Sequence, residues 1–497
     1  MKHFKALLVL SLLLACLTSF SLAAPLAAAL SCPNWAVGAT YNIGDCVTYG
    51  GNTWICAIPH TAIAPWAPIA GNALWTLNGP ATSIWTYPGD SLVSYLNINY
   101  INKYYANAGD WPNNSTNWVS QGPCNPNGMP SGPPIDGIPT LAEAQQYAAS
   151  LTNSTYFQQV KASIATRDNS IVSAVAPLNP SNPSNVKRVE QYLPLSKWQY
   201  YFSVADPLYT YTGFLQAVAK FSGFCGDYTD GRDADALCKR SLATMFAHFD
   251  QETGGHSVEQ YGIPEWLQGL VAVRENGCPG GASCGYNNDC VGNPFWNNVW
   301  TCGKDSSGNW LQYFGRGAKQ LSYYYNYAAF SEVLYGDANL LLDSPDNVAT
   351  TWLNLASAVF FFVYPQPPKP SMLFVIDGTW VPNADDISRG LGNNFPTTIQ
   401  IINSECQDSP TKAAAQNRIN YYRNFTADLS IDISHDNMAC AGMGLFSSAS
   451  SAAIYIYWDQ SSTPYECELV NYQTPFNGLI DGQYVACVEH FWDVTLK

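Results

Sequence analysis

Two glutamates, Glu252 and Glu275, are the residues from which chemistry is read most directly. Glu252 closes the segment Leu242-Ala243-Thr244-Met245-Phe246-Ala247-His248-Phe249-Asp250-Gln251-Glu252. Leu242, Met245, Phe246 and Phe249 stand at i, i+3, i+4 and i+7, the spacing of one buried helical stripe. Glu252 follows three residues later and continues that stripe, and Gly254-Gly255 supplies a helix stop. A carboxyl group so placed meets desolvation and the negative end of the helix dipole. Both favour its protonated form and predict a raised pKa, as a general acid requires. Glu275 ends the run Leu270-Val271-Ala272-Val273-Arg274, which reads as a strand entering an Asn276-Gly277 turn. Two carboxylates bracketing a cleft are the minimal equipment for glycoside hydrolysis. Glu259 and Glu265 compete for the second role.

The elements that must position these groups read as helices. From Val186 onward, long apolar-periodic segments alternate with Gly-rich loops, and residues 139–176 already have helical composition. Ser344 reads as an N-cap, with Pro345 as the first helical residue and Asp346 as a first-turn charge. Trp352, Leu355, Val359 and Phe362 then form an apolar stripe that ends before Pro365 and reads as core.

Gln251-Glu252-Thr253-Gly254-Gly255, Arg274-Glu275 and the run from Tyr313-Phe314-Gly315-Arg316-Gly317-Ala318-Lys319-Gln320-Leu321-Ser322 to Tyr327 together resemble the family 19 glycoside hydrolases, the lysozyme-like chitinases. So do Asp343-Ser344-Pro345-Asp346-Asn347-Val348-Ala349-Thr350, Pro367-Pro368-Lys369-Pro370-Ser371, Ile401-Ile402-Asn403 and Arg418-Ile419-Asn420-Tyr421-Tyr422. These motifs stand in family order across about 187–445, over half the chain. The resemblance implies a mainly helical, lysozyme-like α+β catalytic domain. It implies an endochitinase that cleaves β-1,4 N-acetylglucosamine linkages by an inverting mechanism, without metal or organic cofactor. Glu252 matches the general acid, Glu275 the general base, and Ser322 a residue holding the attacking water. Gln320, Tyr325, Asn326, Lys369, Asn403 and Arg418 match substrate-cleft or acid/base-supporting positions. Arg418 is suited to pairing Glu275 or another buried acid. By family position, Cys290 pairs with Cys302 and Cys406 with Cys440. Three departures are expected to reshape the cleft wall. Asn394-Phe395-Pro396 stands where Gly-Phe-Gly is usual. Asn403-Ser404-Glu405-Cys406 is two residues shorter than the family loop, and Tyr324 replaces an asparagine.

Residues 32–80 are rich in Gly, Trp and Pro in short alternating runs, which read as small strands and turns. Trp35, Tyr41, Gly44-Asp45, Tyr49-Gly50, Trp54, His60-Thr61, Trp66 and Leu74-Trp75 resemble chitin-binding modules of carbohydrate-binding families 5 and 12. Trp54 and Trp66 are the expected flat platform for sugar rings, with Trp35, Tyr41 and Trp75 as core. Residues 84–124 read as a degenerate second copy, 125–186 as a linker and helical segment, and 446–497 as a C-terminal extension with strand-like pieces around Cys467 and Cys487.

Of 497 residues, 22 are Lys or Arg and 37 Asp or Glu, a net charge of −15. That excludes a basic grip on nucleic acid or an anionic membrane. It is compatible with a neutral polymer such as chitin, whose apolar faces suit the 14% aromatic content. Residues 1–23 read as a secretory signal, with an apolar run from Ala6 to Cys16 too short to span a bilayer. The chain is thus expected to be extracellular, where its cysteines can form disulfides rather than zinc sites. Two other functions are compatible with the motifs: a chitin-binding protein with impaired catalysis, or a hydrolase of peptidoglycan glycan strands.

Overall fold

The computed structural model describes residues 35–41, 46–49, 52–56, 60–61, 75–77, 92–95, 98–102 and 118–123, and residues 137–497 apart from 279–283, 285 and 293–298. The chain divides into two compact units, Met1–Gln121 and Gly122–Lys497.

The first unit holds two small three-stranded sheets with the same plan. In one, Cys46–Tyr49 pairs antiparallel with Asn52–Cys56, which pairs in turn with Trp75–Leu77. In the other, Leu92–Tyr95 pairs with Ile98–Asn102, and Trp118–Pro123 joins the far side of Ile98–Asn102. The described strands of 84–124 thus share a three-strand order with one sheet of 32–80, which also pairs Thr40–Tyr41 with His60–Thr61; most of both segments lies outside the described residues. Trp54 departs from its expected role. It is 5% exposed and packs with Tyr41, Val47 and Cys56, and its indole N–H donates to the Tyr49 carbonyl at 3.1 Å. So small a sheet has few large side chains from which to build a core, and it uses this one. Trp66 and the proposed signal segment lie outside the described residues.

The second unit is helix-rich around one large apolar core. Ala234–Thr253 runs through its centre. Asp233 caps the helix by accepting from the backbone N–H groups of Asp235 and Ala236, both at 3.0 Å. The expected stripe of Leu242, Met245, Phe246 and Phe249 is buried. The helix ends at Gly254, where a Cβ would come within 2.1 Å of the Asp250 carbonyl oxygen, so no larger residue fits. Ala413–Asp428 packs along this helix, with Phe425 edge-on to Phe246 at 5.6 Å. Phe395–Ile402 lies against both, and its start explains one family departure. Asn394 accepts from the Thr397 N–H at 3.0 Å as N-cap, and Pro396 occupies the first turn.

Three local expectations are corrected. Leu270 adopts φ +63°, which a regular strand cannot contain, so the run into Glu275 is an irregular segment with an isolated bridge from Arg274 to Arg316. Ser344 follows the helix Asn339–Asp343 instead of opening one. After the short turn Asn347–Thr350, the predicted stripe is carried by Leu353–Val363. Cys467 lies in a strand, but Cys487 lies in the helix Gln483–Trp492, and a disulfide joins them.

Helix Leu141–Leu151 opens with a capping box between Thr140 and Glu143. It packs on the C-terminal helix Gln483–Trp492, with Tyr147 and Tyr484 rings 5.7 Å apart. The Leu141 N–H donates to the carbonyl of Lys497 at 2.8 Å, so the start of this helix lies against residue 497. Among the described residues no helix is long and apolar enough to cross a membrane.

Asp250 is buried in this core and neither carboxyl oxygen has a hydrogen-bond partner. Burial pushes its pKa well above the ordinary aspartate value, so the folded chain holds it neutral. The unfolded chain releases that proton in the usual range. Stability is therefore lost as pH rises from about 4 towards neutrality. Asp250→Asn is expected to flatten that loss, with little change at pH 3 and a higher Tm at pH 7 than the parent chain, measured by thermal unfolding across pH.

Candidate active site

The site is built on a buried arginine. Arg418, 1% exposed, comes from Ala413–Asp428. Its Nε and one terminal nitrogen donate to the two carboxylate oxygens of Glu405 at 2.9 and 3.1 Å. That same nitrogen forms a short ion pair with Glu252 Oε1. The other terminal nitrogen contacts His248 Nδ1 at 3.2 Å. The imidazole state follows from its neighbours. The Thr398 hydroxyl donates to the Phe395 carbonyl at 2.7 Å, so its oxygen accepts from His248 Nε2–H at 3.0 Å. Nδ1 is then the unprotonated nitrogen that accepts from Arg418. Burial, with Arg418 and Lys319 nearby, keeps this histidine neutral by holding its pKa well below the usual value. Its ring stacks on Phe395 at 5.4 Å, and Phe395 stacks on Tyr422 at 4.1 Å.

Glu252 sits at the open edge of this cluster, its side chain 12% exposed. Asn403 Nδ2 bridges Glu252 Oε1 and Glu405 Oε1, each at 3.1 Å. The loop that carries it is shortened, yet Ser404 supplies the left-handed turn at φ +55° without glycine. All these bonds fall on Oε1 of Glu252, and among the described residues none falls on Oε2. Lys319 lines a small apolar cavity of about 20 Å³ together with Glu252 and Phe361. Its ammonium lies 4.3 Å over the Phe361 ring.

The expected rise of the Glu252 pKa is overturned. Burial is the largest single influence and acts upward. The charges of Lys319 and Arg418 and the hydrogen bonds from Arg418 and Asn403 together outweigh it, and the net direction is down. The free site therefore holds Glu252 ionised. Lys319 itself is lowered, by burial first and then by Arg418, with Glu252 and Glu405 opposing.

Glu275 is held differently. Its N–H donates to the Gly315 carbonyl at 2.8 Å, and the Gly315 N–H returns to Glu275 Oε2 at 3.0 Å. A Cβ at Gly315 would lie 2.8 Å from Gln320 Oε1 and 3.2 Å from its Cβ, so a larger residue there would displace the Gln320 side chain. The Tyr286 hydroxyl donates to Glu275 Oε1 at 3.1 Å. Arg274 makes a two-point ion pair with Asp346 and anchors the segment, while Arg316 reaches Asp346 at 3.3 Å. The charge expected to support a helix start is used for this instead. Residues 313–323 form a tight hairpin, with Arg316 paired to Leu321 and the Tyr323 N–H bonded to the Tyr313 carbonyl at 2.8 Å. Gln320 and Tyr323 take φ +56° and +71° on either side of Ser322, a strained pair of the kind found at functional sites.

The structure therefore brings the sequence candidates into two clusters. Glu252, Asn403 and Arg418 form one, and Arg418 pairs with Glu252 and Glu405, not Glu275. Glu275, Gln320, Ser322, Tyr325 and Asn326 belong to the other. There Ser322 Oγ donates to the Gln320 carbonyl at 2.9 Å, Asn326 Nδ2 donates to the Ser322 carbonyl at 2.9 Å, and Tyr325 stacks parallel on Tyr323 at 5.5 Å. Lys369 Nζ donates to the Ile401 carbonyl at 2.9 Å and so closes the end of the helix before Asn403. Glu259 is exposed, and Glu265 accepts from Tyr421 at 2.8 Å, so neither enters the arginine cluster. Sequence reasoning assigned no role to Glu405, Lys319, His248 or Tyr286. Glu405 alone carried a signal, since a buried arginine beside one acid calls for another. Cys290–Cys302 and Cys406–Cys440 are bonded, as are Cys225–Cys238 and Cys278–Cys284. Among the described residues no group of His, Cys, Asp and Glu side chains converges as a metal site would.

The helix-rich scaffold thus carries two glutamate clusters, and glutamates are the residue type that glycoside hydrolysis uses. Residues 198–440 match the family described as Chitinase class I, and residues 34–76 match carbohydrate-binding module family 5/12. Endochitinase 2 of Solanum tuberosum is 33% identical over 244 residues, 48% of this chain and 68% of the relative. Chitinase 9 of Oryza sativa subsp. japonica is 33% identical over 255 residues, 50% and 67% of the two chains. The crystal structure of chitinase C from Streptomyces griseus HUT6037 aligns with 73% of this chain and 99% of its own, at 19% identity and a TM-score of 0.34. The chain belongs to the family 19 chitinases.

Removing Arg418 would strand two buried carboxylates. Arg418→Ala is expected to lower stability by about 3–5 kcal/mol in urea unfolding. The combination Arg418→Met, Glu252→Gln, Glu405→Gln is expected to recover most of that loss, because it removes the whole charge set.

Proposed function

We propose that the chain is a secreted endochitinase that hydrolyses β-1,4 linkages between N-acetylglucosamine units with inversion at the anomeric carbon. The observation that carries this reading is the contrast between the two glutamates. Glu252 is bracketed by buried cations, and among the described residues no bond falls on its Oε2. Among the described residues Glu275 accepts from neutral donors, Tyr286 and the Gly315 N–H.

In this reading Glu252 Oε2 gives its proton to the glycosidic oxygen. Glu275 takes a proton from a water positioned with Ser322, and that water attacks from the opposite face. The ionised state of Glu252 in the free site is the difficulty to resolve. Its strongest influence is burial, so a sugar chain that covers its remaining exposure pushes its pKa upward and allows it to carry a proton in the complex. Gln320 and Asn326 offer amides to acetamido groups, and Tyr325 a ring to a sugar face. Lys369 holds the Asn403 loop in place. The sequence of residues 1–23, read as a secretory signal, and the disulfides support export. The family 5/12 match supports retention on solid chitin, with Trp66 as a platform residue.

Glu252→Gln and Glu275→Gln are each expected to lower kcat on chitin hexamer by about 10²–10⁴-fold. The first product anomer, read by chromatography, is expected to be α; a β product would refute inversion. The alkaline limb of kcat/KM reports Glu252 in the free enzyme and that of kcat reports the complex. The first is expected at lower pH than the second. Lys319→Met removes a positive charge, so it should move the kcat/KM limb to higher pH. Deleting residues 1–121 is expected to reduce binding to insoluble chitin while hydrolysis of soluble oligomers persists.

A further inference from the structure

Residues 446–497 lie beyond the family match, which ends at 440. They carry a three-stranded antiparallel sheet, with Tyr457–Gln460 between Cys467–Val470 and Phe476–Asn477. Side chains alternate between the two faces of such a strand. Trp458 faces a small apolar cluster with Cys467, Phe476 and Tyr484. Tyr457 faces the other way, and its hydroxyl lies 3.2 Å from that of Tyr364 in the large core. Asp459 shares the face of Tyr457, so it too is turned towards the catalytic body.

Tyr472 stands on that face. Its hydroxyl donates to Asp459 Oδ2 at 2.5 Å, yet the residue is 55% exposed. The next residue meets the cleft, because Gln473 Nε2 donates to the Tyr325 carbonyl at 3.4 Å. The one after is tied back to the sheet, where the Thr474 hydroxyl donates to the Trp458 carbonyl at 2.7 Å. The segment 472–474 is therefore pinned between the sheet and the start of the Tyr324–Tyr335 helix. Tyr325 in turn stacks on Tyr323, which is 41% exposed. The Gln473 contact thus joins two exposed tyrosines, Tyr323 on the hairpin and Tyr472 on the extension.

An exposed tyrosine tethered through its hydroxyl loses little freedom when a ligand covers it. Its ring suits the apolar face of a sugar, and the half-buried Asp459 beside it accepts from a hydroxyl. We infer that Tyr472 and Asp459 form an added sugar subsite, which lengthens the catalytic cleft beyond Tyr323 and Tyr325. Its ligand is one N-acetylglucosamine unit of a bound chitin chain, away from the bond that is cleaved. The subsite rests on the endochitinase reading and gives that enzyme a preference for long chains.

The test compares kcat/KM on glycol chitin, a soluble long-chain polymer, with kcat/KM on chitin tetramer. Tyr472→Ala is expected to lower the ratio of the two about three- to tenfold, the worth of one stacked ring. Tyr472→Trp, which keeps an aromatic face, is expected to restore it. Thermal unfolding checks that both variants are folded. A ratio unchanged by Tyr472→Ala would overturn the subsite. A parent chain that cleaves neither substrate would instead refute the endochitinase reading. The subsite is then judged by calorimetric titration with chitin hexamer, whose binding Tyr472→Ala must still weaken.

Discussion

A guanidinium that is 1% exposed must find its full set of acceptors inside the protein, and much of the helical unit is organised around that demand. Arg418 meets it with two carboxylates and a neutral imidazole. Glu252 and His248 come from one helix, Glu405 from a shortened loop, and Arg418 from a third segment. None of these can shift without stranding a charge. The histidine must keep one nitrogen bare, so Thr398 is tied to the Phe395 carbonyl. The stack of His248, Phe395 and Tyr422 then fixes the plane of the ring. The helix start at Asn394 and Pro396 serves the same end, since it delivers Phe395 and Thr398 together.

The other half of the site rests on backbone geometry more than on charge. Glu275 and Gly315 exchange two hydrogen bonds, and the hairpin that follows holds Ser322 between two residues of positive φ. Asp346, clasped by Arg274 and reached by Arg316, keeps the two strips of chain in register. The result is an electrical asymmetry. One carboxylate lives among cations in a desolvated edge, and the other among neutral donors.

What the sequence made legible was local. The stripe of Leu242, Met245, Phe246 and Phe249, with Glu252 as its continuation, is a property of one helix and shows in its periodicity. The colinear motifs located the remaining candidates. The direction of the Glu252 pKa was not legible, because it depends on Lys319 and Arg418, 67 and 166 residues away, which no helical period reports. The apolar run before Glu275 resembled a strand, but Leu270 turns the chain out of one. Trp54 looked suited to a sugar platform, yet a sheet this small needs it inside. The partners of Asp346 and Cys487 likewise lie in segments that local spacing does not connect.

The bond from Leu141 to the Lys497 carbonyl joins residues 356 positions apart in sequence. Closing so long a loop costs chain entropy before the contact is gained. The fastening of Tyr147 on Tyr484 is therefore a late gain in folding, one that forms after the core between them has brought both segments together.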